Sequence, residues 1–277
     1  MPELPEVEHV SRSLNALVKG RRIVSAELLR ERLAPDTRPD QFASHLAPAE
    51  INFIHRRGKH ILFDLSNART LIVHLRMSGR FSLLSAEIED PKFTHAVLHF
   101  ADDTRLVFDD QRHFGLMKLV DTESLYQAKE LAKLSPEPFS DEFSLSYLRA
   151  ALKSTKRTLK EFLLDQTKVC GLGNIYAAEA MFAARIDPRT PADTVSRPKS
   201  ARLFESIRAV LSEAIDHSTR TTVDPTNIEG GYFDGAADRG WLVYDRENKP
   251  CVYCNSPIVR LKQGGRSTYF CRRCQRR

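Results

Sequence analysis

The chain lacks the features of a membrane-spanning or exported protein. No run approaches the roughly 18 consecutive apolar residues that a spanning helix requires. The opening Met1-Pro-Glu-Leu-Pro-Glu6 has neither the basic flank nor the apolar stretch of a signal peptide. Cysteine is sparse, five in 277 residues, and only Cys170 precedes residue 251. The expectation is a soluble cytoplasmic protein with no membrane partner. With 42% apolar and 28% charged residues, the composition is that of a globular chain long enough to bury a sizeable core.

Acids are absent from Cys251 to Arg277, which carry Arg260, Lys262, Arg266, Arg272, Arg273, Arg276 and Arg277. The net charge is +6, so the excess sits in this tail and the preceding 250 residues, 35 basic against 36 acidic, are nearly neutral. That is the footprint of a polyanion-binding module on a neutral body.

The same tail holds Cys251-x2-Cys254 and Cys271-x2-Cys274, the spacing of a four-thiolate zinc site. Between the knuckles, Ile258 to Leu261, a turn at Gly264-Gly265 and Ser267 to Phe270 read as a hairpin. Two disulfides are the alternative, disfavoured in a cytosolic chain. The expected cofactor is one structural Zn2+, with folding of the ribbon coupled to metal binding. Cys170 reads as a small buried hydrophobe.

From Pro5, Val7, Val10, Leu14, Leu17 and Val18 recur at helical spacing, with Gly20 as the stop. Eight strands are then expected, over 23–29, 51–55, 60–65, 70–75, 80–84, 94–100, 105–108 and 115–120, separated by short turn signals. Beyond Pro136-Glu-Pro138 the pattern turns helical, over 145–152, 156–164, 174–184 and 198–217. Residues 218–242, with Gly230-Gly231, Gly235 and Gly240, read as a long loop. The fold class is α+β: an N-terminal β-sandwich with a leading helix, a helical domain and a C-terminal four-cysteine zinc ribbon, divided as 1–134, 135–242 and 243–277.

Several local features occur in one order along the whole chain: Pro2-Glu-Leu-Pro-Glu-Val-Glu8, Lys59 at the start of a strand, His74-Leu-Arg-Met-Ser-Gly79, Asp110-Gln-Arg-His-Phe-Gly115, Gly171-Leu-Gly-Asn-Ile-Tyr-Ala177 and Gly265-Arg-Ser-Thr-Tyr-Phe-Cys271. Together they closely resemble the bacterial formamidopyrimidine-DNA glycosylase family. The resemblance implies a monomeric, nucleoid-associated enzyme of base excision repair that removes oxidised purines from damaged double-stranded DNA and nicks the strand by β,δ-elimination. It also implies that the helical domain holds a helix-two-turn-helix element. The related endonuclease VIII group, which prefers oxidised pyrimidines, typically has Gly where this chain has Leu4.

The resemblance implies four catalytic residues, Pro2, Glu3, Lys59 and Arg266, and one orienting residue, Glu6. Pro2, exposed by removal of Met1, is the nucleophile at C1′; an α-amino group with a pKa of roughly 7.7–8.0 has a usable neutral fraction. Glu3 donates a proton to the opening sugar, Glu6 orients the N-terminus, and Lys59 and Arg266 meet phosphate and assist elimination. The family's DNA contacts would fall on His74, Asn174 and, by looser alignment, His95 and Lys156. Met77, Arg112 and Phe114 would fill the gap left by the everted nucleotide, with Arg112 and Phe114 on one side of an extended segment.

Several of these residues also have a plainer reading. Pro2 suits the start of a helix, Glu3, Glu6 and Glu8 suit the dipole of a first helical turn, and Lys59 suits a solvated strand end. The histidines can be strand residues without function, and Met77 and Phe114 core residues. For Glu8 the dipole reading is preferred. The family pattern is broken at His217-Ser-Thr-Arg-Thr-Thr222, where Gly-Gly is usual, and at Tyr244-Asp245, where Tyr-Gly is usual. Both flank the loop that covers the everted base in the family, which leaves lesion preference open. The rival readings are an endonuclease VIII-like glycosylase and a zinc-ribbon DNA-binding protein without catalysis.

Overall fold

The computed structural model describes residues 1–218, 223–228 and 240–276. Helix α1 (Leu4–Val18) opens the chain with a capping box in which Glu6 accepts from the backbone N–H of Glu3 at 2.8 Å. It buries Val7, Val10, Leu14 and Val18 and ends before Gly20, whose φ of +77° turns the chain toward the sheet.

All eight expected strands form: β1 (Arg22–Leu28), β2 (Ala49–Arg57), β3 (His60–Leu65), β4 (Arg69–His74), β5 (Gly79–Leu84), β6 (Thr94–Phe100), β7 (Arg105–Asp110) and β8 (Leu116–Asp121). They run antiparallel in the order β5-β7-β6-β1-β2-β3-β4-β8. The β1/β2 seam holds only the pairs Arg22↔Glu50 and Ile23↔Ala49, so the sheet folds there into two layers. Phe63 of β3 and Phe81 of β5 meet across the interior with ring centroids 5.7 Å apart. Helix α2 (Pro39–Leu46), which the periodicity did not announce, packs on β1 through Phe42 and Leu46. At eight residues it is too short to display more than one apolar repeat.

The second region holds α3 (Leu145–Lys153), α4 (Leu159–Leu164), α5 (Asn174–Ala183) and α6 (Arg197–Ser218). Helix α4 starts three residues later than the periodicity suggests, because Thr158 and Glu161 close a capping box that sets its first turn. The ribbon hairpin follows as β9 (Val259–Gln263) and β10 (Arg266–Phe270), joined by Gly264 and Gly265 at φ +52° and +76°.

The chain forms two compact bodies. The first comprises, of the described residues, 1–132, 217–218 and 223–228, the last of which return to it: Ile228 pairs with Phe81, donating to its carbonyl at 2.8 Å. Within this return, Asp224 accepts from the Thr226 backbone N–H and hydroxyl, both at 2.8 Å, a turn that orders the segment. The second comprises 133–216 and 240–276, where the ribbon shares a core with α5 through Ala178, Phe182, Val243, Ile258 and Tyr269.

Candidate functional site

In the first body the N-terminus, Glu3, Glu6 and Lys59 come together. Pro2, Glu3 and Glu6 are buried, and Lys59 is 5% exposed. Lys59 follows Gly58, at φ +61°, in the two-residue turn that joins β2 to β3. The α-amino group of Met1 has its pKa lowered, first by burial and further by the Lys59 and Arg112 cations, while Glu3 and Glu6 act in the opposite direction. A terminal amine held here is biased toward its neutral, nucleophilic form. With Met1 in place the Pro2 nitrogen is an amide, so the secondary amine arises only on its removal.

Glu8 lies beyond the first turn and does not serve its dipole. Its carboxylate binds Arg12 at 2.6 Å and Arg56 at 2.8 Å, and Arg56 also donates to the carbonyl of Gly58 at 3.0 Å. Burial opposes ionisation of Glu8, but Arg56 and Arg12 outweigh it and hold its pKa low. The pair thus ties α1 to the turn that carries Lys59.

His74 and His60 meet edge to face, ring centroids 4.7 Å apart, and both are buried. Burial lowers His60 to about 4 and also lowers His74, so both are neutral imidazoles at physiological pH. The Arg76 N–H donates to His74 Nδ1 at 2.9 Å. That assigns the His74 proton to Nε2, a donor suited to phosphate without a positive charge. His95 stacks on His113 with an Nε2···Nδ1 separation of 2.9 Å, and its pKa is lowered, chiefly by burial.

Met77 is 37% and Phe114 51% exposed, and Arg112 is exposed, so none of the three is a core residue. Arg112 and Phe114 do share a side, with the guanidinium carbon 5.6 Å from the ring centroid. The cause is not the extended segment expected: residues 111–113 turn, with His113 at φ +59°.

The second body presents its own cations. Arg266 is exposed at the start of β10, beside the glycine turn. Strand β10 is held from α4 by Lys160, which is fully buried and donates to the Ser267 carbonyl at 2.6 Å and the Thr268 hydroxyl at 2.7 Å. Lys156 lies exposed before α4. Asn174 opens α5, and its Oδ1 is buried without a hydrogen-bond partner. The turn before it is set by Gln166, which accepts from the Gly171 N–H at 2.9 Å and donates to the Leu172 carbonyl at 2.9 Å.

The four ribbon sulfurs all lie within 4.8 Å of one another, Cys251 to Cys274 at 3.9 Å and Cys254 to Cys271 at 3.5 Å. A tetrahedral zinc with Zn–S bonds of about 2.3 Å needs sulfur separations of roughly 3.8 Å. Burial and the neighbouring sulfurs push the Cys274 thiol up, an effect that a central divalent cation would reverse. The donor set therefore fits one structural Zn2+ held by Cys251, Cys254, Cys271 and Cys274.

Comparison with known proteins finds similarity along the whole chain. Residues 1–117 match the formamidopyrimidine-DNA glycosylase N-terminal domain, 134–225 the H2TH domain of that enzyme, and 248–277 the zinc finger found in FPG and IleRS. The chain belongs to the formamidopyrimidine-DNA glycosylase family. Named formamidopyrimidine-DNA glycosylases similar to it include those of Listeria innocua, 39% identical with all of both chains covered, and Bacillus subtilis, 40% identical with 99% of each covered. Among solved structures, Lactococcus lactis Fpg bound to abasic-site DNA superposes with a TM-score of 0.90 at 32% identity, covering 99% of this chain and 100% of that one. The same enzyme bound to DNA containing N7-benzyl-Fapy-dG also matches at 0.90 and 32%, with all of both chains covered.

One of this chain's departures from the family pattern now has a physical account. Asp245 adopts φ +56°, the left-handed conformation that explains glycine there, and its carboxylate accepts from the Tyr269 hydroxyl at 3.2 Å. At the other departure His217 and Ser218 end α6, while 219–222 lie outside the described residues, as do residues 229–239 of the expected lesion-covering loop (218–242).

Among the buried charges to which sequence reasoning gave no role are Asp110, Lys160 and Glu179. Glu179 of α5 accepts from the N–H groups of Leu242, Val243 and Tyr244 at 3.0, 3.0 and 2.9 Å and fixes the turn that leads into the ribbon. The available signal was a lone acid inside the otherwise apolar helix NIYAAEAMFA.

Proposed function

We propose that this chain excises oxidised purines such as 8-oxoguanine and formamidopyrimidines from duplex DNA and then cleaves the strand by β,δ-elimination. The observation that carries the reading is the partly buried N-terminus among Glu3, Glu6, Lys59 and Arg112, with an exposed Met77, Arg112 and Phe114 on the same body. In the matured enzyme the Pro2 nitrogen attacks C1′ and the damaged base leaves with its bonding pair. Glu3 protonates the sugar ring oxygen as the ring opens, and Glu6 orients the amine through the backbone of the first helical turn. The resulting iminium acidifies the C2′ proton, whose removal expels the 3′ phosphate; a second elimination expels the 5′ phosphate.

Lys59 and Arg266 act on phosphate and assist elimination, and His74 donates from Nε2. His95, Lys156 and Asn174 bind the DNA backbone, Asn174 from the N-terminus of α5. Met77, Arg112 and Phe114 occupy the stack opposite the everted nucleotide. Residues 1–134, 135–242 and 243–277 serve as catalytic, helix-two-turn-helix and zinc-finger segments of an enzyme that works as a monomer. Among the described residues no helix is long and apolar enough to cross a membrane, and the proposed setting is the cytoplasm and its nucleoid.

Borohydride trapping tests the mechanism. Protein lacking Met1 is expected to form a covalent complex with duplex DNA containing 8-oxoguanine opposite cytosine, and Pro2→Gly to weaken it. Absence of any complex would refute the lyase. A preference for thymine glycol over 8-oxoguanine would instead favour the pyrimidine-directed reading.

A further inference from the structure

Two loops carry the exposed side chains assigned to the DNA stack: residues 75–79, with Met77, and residues 110–115, with Arg112 and Phe114. Both end on one carboxylate. Asp110 is fully buried at the end of β7, opposite Gly79 in the register. Its Oδ1 accepts from the hydroxyl of Ser78 and from the backbone N–H of Arg112, the latter at 3.2 Å, and its Oδ2 accepts from the N–H of Gly115 at 2.7 Å. The Arg112 N–H also donates to Ser78 Oγ at 3.0 Å, which closes the triangle. The packing leaves no room to substitute this arrangement. A Cβ at Gly115 would lie 2.8 Å from the Phe108 ring and 3.2 Å from Asp110 Oδ2, and one at Gly79 2.6 Å from the Leu75 carbonyl.

We infer that Asp110 is a positioning residue that holds Met77, Arg112 and Phe114 as one preformed wedge, so that the loops need not be ordered when DNA binds. The inference rests on the stack-filling roles proposed above for those three residues. A buried carboxylate that satisfies donors from both loops at once sets their spacing. An amide in its place presents an N–H to one of those donors and parts the loops. The consequence is specific to steps that require insertion into a duplex.

The test compares the intact enzyme with Asp110→Asn, both lacking Met1. With 2-aminopurine beside the estranged cytosine of a lesion duplex, saturating wild-type protein is expected to raise the fluorescence as the wedge enters. Asp110→Asn should lower the insertion rate and the single-turnover excision rate by about tenfold or more, with a smaller change in the DNA concentration for half-saturation. Cleavage of a preformed abasic site in single-stranded DNA, which has no stack to fill, should change by less than about twofold. In a Met77→Ala/Phe114→Ala background, adding Asp110→Asn should cost less than about a further twofold, because residues that act as a unit are not additive.

Ser78→Ala keeps the carboxylate and removes one tie; it should show the same pattern with a smaller loss, and it carries the test if Asp110→Asn does not fold. Wild-type insertion kinetics in either variant would overturn the inference. So would an equal loss on single-stranded abasic DNA, or a full multiplicative loss in the background without Met77 and Phe114. If the intact enzyme traps on abasic DNA yet shows no fluorescence rise, the wedge assignment falls and this inference with it. If it does not trap at all, the failure lies with the proposed chemistry.

Discussion

Two glycine turns in this molecule each present a cation, and they are supported in opposite ways. Gly58 and Lys59 join β2 to β3 at the edge of a large hydrophobic sandwich, and the lysine is buried. Gly264 and Gly265 join β9 to β10 in a ribbon of two five-residue strands, and Arg266 is exposed. The first turn inherits its rigidity from a core that would exist without it, and the Glu8–Arg56 pair sets its last detail. The second has almost no core of its own and depends on four thiolates around a metal, on the buried Lys160 and on the face of α5. A glycine turn that presents a cation is therefore robust to metal loss in one place and dependent on metal in the other.

Removing zinc should break this comparison most visibly. Chelation or Cys254→Ala is expected to unfold the ribbon and weaken binding to lesion DNA by about a hundredfold at moderate salt, since its cations lose their fixed positions. The far-ultraviolet β-sheet signal of the first body should persist. Unchanged affinity in protein shown to be metal-free would mean that the ribbon holds itself.

The sandwich should instead respond to acid. His60 is lowered to about 4 from 6.5, so its contribution is fully present above 6.5 and is lost as pH falls toward 4, where the unfolded chain gains a proton that the folded one refuses. The shift corresponds to roughly 3 kcal/mol, and His74 adds in the same direction. Denaturant melts of His60→Phe across pH 4–7 should show a flatter acid limb than wild type. An identical limb would locate acid sensitivity elsewhere.

Glu8→Ala is expected to cost about 2 kcal/mol, because Arg56 is left nearly buried without its carboxylate, and to slow strand cleavage through the displaced Lys59 turn. A urea titration paired with single-turnover cleavage separates the two effects, and a stability loss with unaltered cleavage would dissociate the pair from Lys59. The smallest effect is expected at the ribbon linker. Asp245→Gly relieves a left-handed backbone but loses the Tyr269 hydrogen bond, so melting should register a change within about 1 kcal/mol. A larger loss would make this bond a principal support of β10.

Much of the scaffold was legible in the sequence because its signals are local. The eight strands announce themselves by apolar alternation between short turns, and the ribbon hairpin by Gly264-Gly265 between the two cysteine pairs. Helix α2 escaped because one turn of apolar spacing at Phe42 and Leu46 cannot be told from chance. Helix α4 was drawn too early because periodicity does not see a cap. Arg112 and Phe114 were placed on one side for the wrong reason, since the left-handed turn at His113 is invisible in a pattern of alternation. Glu8 was assigned to its own helix although its decisive partner lies 48 residues away.

The sequence alone determined the ligand set of the ribbon and the family, because thiolate spacing and ordered motifs are properties of the chain itself. Tertiary structure decided which charges are consumed in holding the machinery. Asp110 joins two loops through Ser78, 32 residues distant, and Lys160 grips β10 from 107 residues away. A buried charge is tolerable only where folding delivers its partners, and no local pattern states where those partners will come from.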